Sequence, residues 1–284
     1  MEDSQNSKIK PLITFTSDFG VQSQGVGIME GTALKINPDA QIIHLMHGLP
    51  SFNLSYAART METLNYMPVG YHVCVVDPGV GTKRKAIIIK TKRGDYLIGP
   101  DNGVLIPVAE HFLGGIEKIH QIKNEKYMNL LVSPVFHGRD IFTPAAAYLC
   151  KGIPIEKFGP ELKKKDLVKA PHEEAVVKEG YTEAQIIHIN HFGSLHLNIL
   201  AKNFDKSGIK YGDKVTLNFN NKKIQIPFLK TFGDVPIGKE VMFKDDYLRI
   251  EIAINQGNFA KKHSLKQGDK IIIKKWDIKP KKSK

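Results

Sequence analysis

The chain has 284 residues, of which 42% are hydrophobic and 25% are charged, and its formal net charge is +12. This composition is ordinary for a globular protein, and we expect neither a signal peptide nor a membrane span. Residues 265–284 hold eight Lys and two Asp, a charge of +6, and the remaining excess is too diffuse to indicate a nucleic-acid-binding surface. The two cysteines, Cys74 and Cys150, predict neither a disulfide framework nor a metal site, which favours a reducing cytoplasm.

The first half of the chain alternates between predicted strands and helices. A polar start, residues 1–10, is expected to fray. Apolar, β-branched runs predict strands at residues 12–15, 40–45, 73–76, 86–89 and 96–98. Helices are predicted at residues 25–36 and 55–66, after residue 103, and from Thr143 onward. The alternation is typical of a mainly parallel sheet.

Two acidic residues follow predicted strands directly. Asp77 opens the turn of residues 77–84 (DPGVGTKR), which ends in Arg84. In open α/β sheets ligands bind outside the carboxyl ends of the strands, so Asp77 and Arg84 are candidates for a site. The alternative is a structural turn in which the Asp side chain bonds its own backbone. Asp18 likewise follows a strand, and it either caps a helix or grips a ribose diol.

His137 lies in residues 136–140 (FHGRD), just ahead of a predicted helix with Thr143 as its N-cap and Pro144 as its first residue. An imidazole in a loop near an Asp and an Arg can act as an acid or base near neutral pH. His47 is interpreted as a packed loop histidine. Phe52 belongs either to the core or to the wall of an apolar pocket.

The second half of the chain has a different pattern. Residues 151–179 are polar, contain three prolines and are interpreted as a linker. Short strands are predicted beyond them, at residues 184–189, 214–219, 222–226, 247–254 and 270–274. We therefore predict an α/β domain over residues 1–178 and a smaller all-β domain over residues 179–284.

Four ordered sequence blocks resemble those of the S-adenosylmethionine (SAM) hydroxide adenosyltransferases, which are relatives of fluorinating and chlorinating enzymes. The blocks are residues 13–20 (ITFTSDFG), 75–82 (VVDPGVGT), 99–104 (GPDNGV) and 136–142 (FHGRDIF). The resemblance implies a catalytic set of Asp77, Arg84 and His137, with Asp18 as the ribose-binding acid. It also implies a layered α/β/α first domain and a β-barrel second domain. The implied assembly is a homotrimer in which each active site lies between one subunit's first domain and its neighbour's second domain.

The activity that this resemblance implies is hydrolysis of SAM to adenosine and L-methionine by attack of water at C5′. A sulfonium departs as a neutral thioether, so we expect no cofactor and no metal, only an oriented and activated water. The alternatives are a SAM-dependent halogenase, or a nucleoside-binding protein of the same fold with a diverged substrate. The halogenating relatives carry Tyr at the positions of Asp77 and His137, and the fluorinating branch has a long insertion where this chain has only residues 91–95. Both differences favour hydroxide.

The second domain departs from the family pattern where substrate contacts are implied. The family has an Asp-x-Phe-Gly-Asn block, whereas residues 190–194 are NHFGS. Asn190 then stands at the methionine ammonium without a charge, and the shorter Ser194 stands at the adenine edge. Phe243 and Lys244 occupy the place of a family Asn-Ser pair.

Two rival classes rest on fewer features. A metal-dependent hydrolase would use His137 with His188, His191 or His196, but these lack a helical i, i+4 pair and a carboxylate partner at ligand spacing. A nucleic-acid-binding module rests on net charge alone. The predicted partner is therefore a small molecule, with neither a membrane nor a specific nucleic acid.

Overall fold

The computed structural model describes residues 11–276, so the predicted fraying of residues 1–10 and the last part of the basic tail lie outside the described residues. The chain forms two compact units, and the boundary between them falls between Pro171 and His172 in the sequence. We call them the N-terminal and the C-terminal unit. The predicted boundary lies between residues 178 and 179. Among the described residues, no helix is both long enough and apolar enough to cross a bilayer.

A mixed sheet forms the centre of the N-terminal unit. Its strands are β1 Leu12–Ser17, β2 Gln41–Met46, β3 Tyr71–Val75, β4 Ala86–Thr91, β5 Tyr96–Pro100 and β6 Ile116–Gln121. The strand order is β2-β1-β3-β5-β4-β6, and β4 runs antiparallel to both of its neighbours while the other pairs are parallel. The turn after β4 is too short for a crossover, so β4 and β5 form a hairpin within an otherwise parallel sheet.

Because helices cover both faces of this sheet, every residue of β1 is buried. The helices are α1 Gln24–Ile36, α2 Leu54–Met61, α3 Ile106–His111 and α4 Thr143–Cys150. The Ser23 side chain accepts from the N–H of Gly25 and caps α1. Met29 and Ala33 of α1 join Ala146 of α4 in the core over β1 and β3. The predicted α/β fold is confirmed.

Helix α4 continues a π-helical turn, Gly138–Phe142, and does not start from a cap. Thr143 has helical dihedrals, φ −64° and ψ −47°, so the expectation that it caps the helix is wrong. Pro144 has no N–H to donate to the carbonyl of Asp140, and that carbonyl accepts from the N–H of Asn129 instead, at 2.9 Å. Because the α-helical hydrogen bond from residue 144 to Asp140 cannot form, the chain makes the wider π-helical turn at this point.

The segment predicted as a linker is part of the N-terminal unit up to Pro171. Ile155 and Phe158 are buried in the core cluster of the sheet. The N–H of Lys123 donates to the carbonyl of Phe158, and the N–H of Gln121 donates to that of Pro160. The linker interpretation is therefore wrong for these residues, because their few apolar side chains anchor an otherwise polar stretch.

The C-terminal unit is an antiparallel, barrel-like sheet, as predicted. Its strands are β7 Val177–Lys178, β8 Tyr181–Ile189, β9 Leu195–Leu200, β10 Lys214–Phe219, β11 Lys222–Pro227, β12 Glu240–Lys244, β13 Arg249–Ile254 and β14 Lys270–Lys275. The order is β11-β10-β14-β8-β9-β13-β12. A bridge between Phe228 and Met242 joins the two ends, so the sheet is nearly closed. Two short helices, α5 Ala201–Phe204 and α6 Phe259–His263, lie between strands.

A buried ion-pair cluster closes the β4–β5 hairpin. The fully buried Asp95 carboxylate accepts from Arg93 Nε at 2.7 Å and Arg93 Nη2 at 2.9 Å, and it lies 3.0 Å from His72 Nε2. Burial alone would raise the pKa of Asp95, but the hydrogen bonds from His72 and Arg93 outweigh it and hold that pKa well below its usual range. The charged carboxylate therefore stabilises the folded state.

We expect Asp95→Asn to destabilise the protein by about 3 kcal/mol at neutral pH, because it removes the buried carboxylate that accepts from the partly exposed Arg93 and from His72. The contribution of Asp95 to the free energy of unfolding is present above its unfolded-state pKa of about 4 and is lost as the pH falls through its lower folded-state pKa. The difference in unfolding free energy between the variant and the wild type should therefore narrow toward about pH 3. Urea unfolding followed by circular dichroism measures both values. Glu117→Gln is the matched control, since it breaks the more exposed Lys90–Glu117 pair and should change stability by less than about 1 kcal/mol. Equal effects of the two substitutions would contradict this account.

Candidate active site

The structure brings Asp77, Arg84 and His137 together beyond the carboxyl end of β3. Arg84 Nε donates to Asp77 Oδ1 at 3.1 Å, and Arg84 Nη2 donates to Asp77 Oδ2. The same Nη2 lies 2.9 Å from His137 Nδ1. The guanidinium also lies over the ring of Phe142, 5.3 Å from its centroid. Asp77 uses its side chain for Arg84 and not for its own turn, so the turn is built around an ion pair.

The Arg84 contact determines the protonation state of His137. Arg84 can only donate, so Nδ1 of His137 accepts, and the neutral ring carries its proton on Nε2. Burial, followed by the charge of Arg84, lowers the pKa of His137, while Asp77 and Asp140 partly oppose this shift. The imidazole is therefore neutral at neutral pH. The cluster offers a carboxylate acceptor on Asp77 and an N–H donor on His137, which together can orient one water molecule.

Close packing holds the Asp77 turn in place. Gly81 has φ +75°, and a Cβ there would lie 2.6 Å from the carbonyl oxygen of Pro134. Only glycine allows the turn to pack this tightly against the segment before His137. The side chain of Asn102 donates to the carbonyl of Val76 at 2.8 Å and so fixes the residue before Asp77. The sequence analysis marked residues 99–104 as a motif, but it did not assign this role to Asn102.

Asp140 anchors the other side of the site, and the sequence analysis missed it as well. Its buried carboxylate accepts from Arg139 Nε at 2.7 Å, from the Asn129 side chain at 3.0 Å and from the N–H of Ser133 at 2.9 Å. Burial alone would raise the pKa of Asp140, but these donors outweigh it and lower that pKa. The segment between Asn129 and His137 is thereby tied to the start of the π-helical turn. The position of Asp140 next to Arg139 in the sequence was the signal available for this anchor.

A pocket of about 280 Å³ joins this cluster to Asp18 and Phe52. Asp77 and His137 line it together with Asp18, Phe52, Phe19 and Phe136, among others. Asp18 Oδ2 accepts from the N–H of Phe52 at 2.8 Å, so one carboxylate connects the loops after β1 and β2. Phe52 has φ +61°, which is unusual for a non-glycine residue, and the residue is 68% exposed. Phe52 is therefore part of the pocket wall and not of the core.

Asn190 and Ser194 lie in the C-terminal unit, in the turn between β8 and β9. The side-chain oxygen of Asn190 accepts from the N–H groups of Phe192 at 3.1 Å and Ser194 at 3.0 Å. Both lone pairs are thus used to order the turn itself. Gly193 has φ +84°, and a Cβ there would lie 2.1 Å from the side chain of Asn258. The turn is therefore tightly determined. Lys244 pairs with Asp205 at 2.8 Å.

His196 has carboxylate neighbours that the sequence analysis did not find. Its Nδ1 lies 2.9 Å from Asp245 Oδ2 and 3.7 Å from Glu251 Oε2, and all three side chains are buried. The expectation that these histidines lack a carboxylate partner is wrong, because the partners come from β13 and the turn before it, about fifty residues later in the chain. The ring of His188 stacks on that of His196. Nε2 of His196 faces Asn190 Nδ2 at 3.4 Å, so this cluster supports the turn that carries Asn190.

We expect Phe52→Gly to be more stable than Phe52→Ala by about 1 kcal/mol, because alanine retains the strain of a positive φ and glycine relieves it. Both substitutions remove the exposed ring, so the comparison isolates the backbone term. Thermal or urea unfolding of the two purified variants measures the difference. Equal stabilities would mean that Phe52 does not hold this left-handed conformation in solution.

Comparison with known proteins identifies the family. Residues 13–159 match the N-terminal domain of the SAM hydroxide adenosyltransferases, and residues 184–272 match their C-terminal domain. The chain is 36% identical to an (R)-S-adenosyl-L-methionine hydrolase from Methanocaldococcus jannaschii, over 79% of this chain and 81% of that protein. It is 23% identical to a fluorinase from Actinopolyspora mzabensis, over 96% of this chain and 99% of that one.

A solved structure of similar fold is that of an uncharacterized conserved protein from Thermotoga maritima. Its TM-score is 0.85 at 35% identity, covering 93% of this chain and all of that chain. Both domains of the family are matched in order, and the four sequence blocks contribute to one pocket and its supports. The chain therefore belongs to the SAM hydroxide adenosyltransferase family.

Proposed function

We propose that this protein hydrolyses the (R) form of S-adenosyl-L-methionine to adenosine and L-methionine. The observation that carries the proposal is that Asp77 and His137 line the same pocket as Asp18 and Phe52. A relative 36% identical to this chain is named for the (R) form, which extends the proposal to the configuration at sulfur. No cofactor and no metal ion takes part in the proposed reaction.

The chemistry follows from the leaving group. The sulfonium departs as a neutral thioether, so the reaction needs no acid at sulfur, only an oriented nucleophile in line with the C5′–S bond. A water donates one proton to the Asp77 carboxylate and accepts from His137 Nε2–H, which leaves a lone pair of its oxygen for C5′. The O–C5′ bond forms, the C5′–S electron pair moves to sulfur, and the water proton passes to Asp77 and then to solvent. Arg84 holds Asp77 and His137 at fixed positions throughout.

The remaining pocket residues bind the substrate. Asp18 accepts from the ribose hydroxyls through the carboxylate oxygen that does not bond Phe52, and the Phe52 ring covers the nucleoside. We infer that Asn190 and Ser194 of a neighbouring copy contact the methionine and adenine ends in a homotrimer. Exposed apolar side chains support such an assembly, since Leu130 is 99% exposed on the segment that leads to His137.

A cytoplasmic location remains part of this proposal, and its support comes from the cysteines. Cys74 and Cys150 are both buried with free thiols. Burial raises the pKa of Cys74 to about 12 and that of Cys150 to about 11, so both stay protonated and inert at neutral pH. A protein built on such thiols is suited to a reducing compartment.

Water is favoured over a halide ion as the nucleophile. The Asp77 carboxylate lies at the nucleophile end of the pocket, where it would repel an anion but can accept a proton from water. The direct test is incubation of the purified protein with each sulfonium epimer separately, followed by chromatography of the products. We expect adenosine and methionine from the (R) form, with a rate that added chloride or fluoride does not change. Formation of a halogenated nucleoside, or binding of adenosine without turnover, would contradict the proposal.

We expect Asp77→Asn and His137→Ala each to lower the rate of adenosine formation by about 10²-fold to 10⁴-fold, because each removes one of the two groups that orient the water. Arg84→Lys should fall in the same range, since an ammonium cannot reproduce the forked contact with Asp77 and His137. Single-turnover kinetics measure the chemical step, and calorimetric titration with adenosine should show largely unchanged binding. Lys83→Gln, an exposed position of the same turn, should retain wild-type activity. Near-wild-type turnover in any of the first three variants would exclude that residue from the proposed role.

We expect Asn190→Asp to tighten binding of the substrate about fivefold without changing the affinity for adenosine. A carboxylate keeps one oxygen for the N–H groups of Phe192 and Ser194 and adds a charged oxygen, which is worth about 1 kcal/mol more than a neutral acceptor toward an ammonium group. Binding is measured by calorimetric titration with the substitution made in the Asp77→Asn variant, which avoids turnover. Asn221→Asp is the control, since it adds the same charge in an exposed turn. Weaker binding in Asn190→Asp would show that this turn does not face the methionine ammonium.

A further inference from the structure

A chain of four polar side chains runs from the interior of the N-terminal unit to its surface beside the pocket. Ser17 Oγ lies 2.7 Å from His47 Nδ1, and His47 Nε2 lies 2.8 Å from His44 Nδ1. His44 Nε2 lies 3.1 Å from Glu30 Oε2. Ser17 and His47 are buried, whereas His44 and Glu30 are partly exposed.

With a neutral His44 ring, the outer end of this chain sets the direction of every hydrogen bond in it. Glu30 is a carboxylate and only accepts, so His44 donates from Nε2 and, as a neutral ring, accepts at Nδ1. His47 then donates from Nε2 to His44 and accepts at Nδ1, and Ser17 donates its hydroxyl proton to His47. His47 therefore accepts at Nδ1 and carries its proton on Nε2. Burial is the main cause that lowers the pKa of His47 to about 4, in agreement with a neutral His47 ring.

The inner end of the chain joins the two loops that line the nucleoside side of the pocket. Ser17 is the last residue of β1 and precedes Asp18 directly, and His47 begins the loop that leads from β2 to Phe52. The N–H of Gly20 donates to the carbonyl of His47 at 2.8 Å. The Ser17–His47 hydrogen bond therefore joins the two loops in the interior of the unit. The Asp18–Phe52 hydrogen bond joins the same two loops at the pocket.

We propose that His47 is a positioning residue, which the His44–Glu30 pair holds in one tautomer. His47 in turn holds Asp18 and Phe52 at the positions in which they bind the nucleoside part of the substrate. The inference rests on the proposed function, because that function places the nucleoside between Asp18 and Phe52. His47 does not line the pocket, so its effect is on binding through Asp18 and Phe52 and not on the reacting atoms. Asp77, Arg84 and His137 keep their own contacts when His47 changes.

Two substitutions separate the two contacts of the His47 ring. Glutamine places an amide N–H₂ near the position of Nε2, so His47→Gln keeps the donor to His44 and loses the acceptor for Ser17. Asparagine places its oxygen near the position of Nδ1, so His47→Asn keeps the acceptor for Ser17. We expect His47→Gln to raise both the KM and the dissociation constant of adenosine about fivefold to tenfold with kcat within about twofold, and His47→Asn to change them less than about threefold. His120→Gln is the control, since His120 is a buried histidine on β6 at the opposite edge of the sheet, and it should lower stability without changing KM.

Long-range nitrogen–proton correlation spectra of the wild-type protein test the tautomers without any substitution. We expect both His44 and His47 to show protonated Nε2 and unprotonated Nδ1 at neutral pH. A proton on Nδ1 of His47, equal KM values in His47→Gln and wild type, or a loss in kcat alone would each overturn the proposal. If the wild-type protein forms no adenosine, the proposed hydrolysis fails, and the ratio of adenosine affinities between His47→Gln and His47→Asn still decides the role of His47.

Discussion

The Arg84 guanidinium is the interaction on which the geometry of the site depends. One planar group donates to both oxygens of Asp77 and to Nδ1 of His137. These contacts hold the Asp77 carboxylate in place as an acceptor and leave His137 neutral with its proton on the opposite nitrogen. The same guanidinium lies against the buried ring of Phe142, which fixes its plane. A donor and an acceptor are thus aimed into one pocket without any metal ion in the proposed mechanism.

Backbone constraints in three places make this arrangement rigid. Gly81 brings the Asp77 turn into contact with the carbonyl of Pro134, and Asn102 ties the carbonyl of Val76. Asp140 binds the N–H of Ser133 and so holds the segment that precedes His137. Each contact restrains a residue next to a member of the cluster, and the cost of ordering these groups is met before the substrate arrives. Such preorganisation is what a reaction without an acid catalyst or a cofactor requires.

The sequence predicted those features that depend on short segments of the chain. Asp18 and Asp77 are predicted because each follows a buried strand, and the contrast between the two halves of the chain predicts an α/β unit followed by an all-β one. Contacts between distant segments are missed except where the family resemblance implies them, as for Arg84 and His137. Thr143 has the sequence signature of a cap, but the π-helical turn before it continues into α4, and the carbonyl that Pro144 cannot bond is taken by Asn129, fourteen residues before Thr143. His196 lacked a carboxylate partner only along the chain, since Asp245 and Glu251 reach it across strands.

The most direct test of the central claim, that the Asp77–Arg84–His137 cluster directs water to C5′ of a sulfonium nucleoside, is an isotope experiment. The purified protein is incubated with the (R) form of S-adenosyl-L-methionine in water enriched in the heavy oxygen isotope, and both products are examined by mass spectrometry. The account predicts one labelled oxygen in the 5′-hydroxyl of adenosine and none in methionine. Label in an amino-acid product, with the nucleoside released as a thioether, would place the attack on the other side of sulfur and would contradict the account.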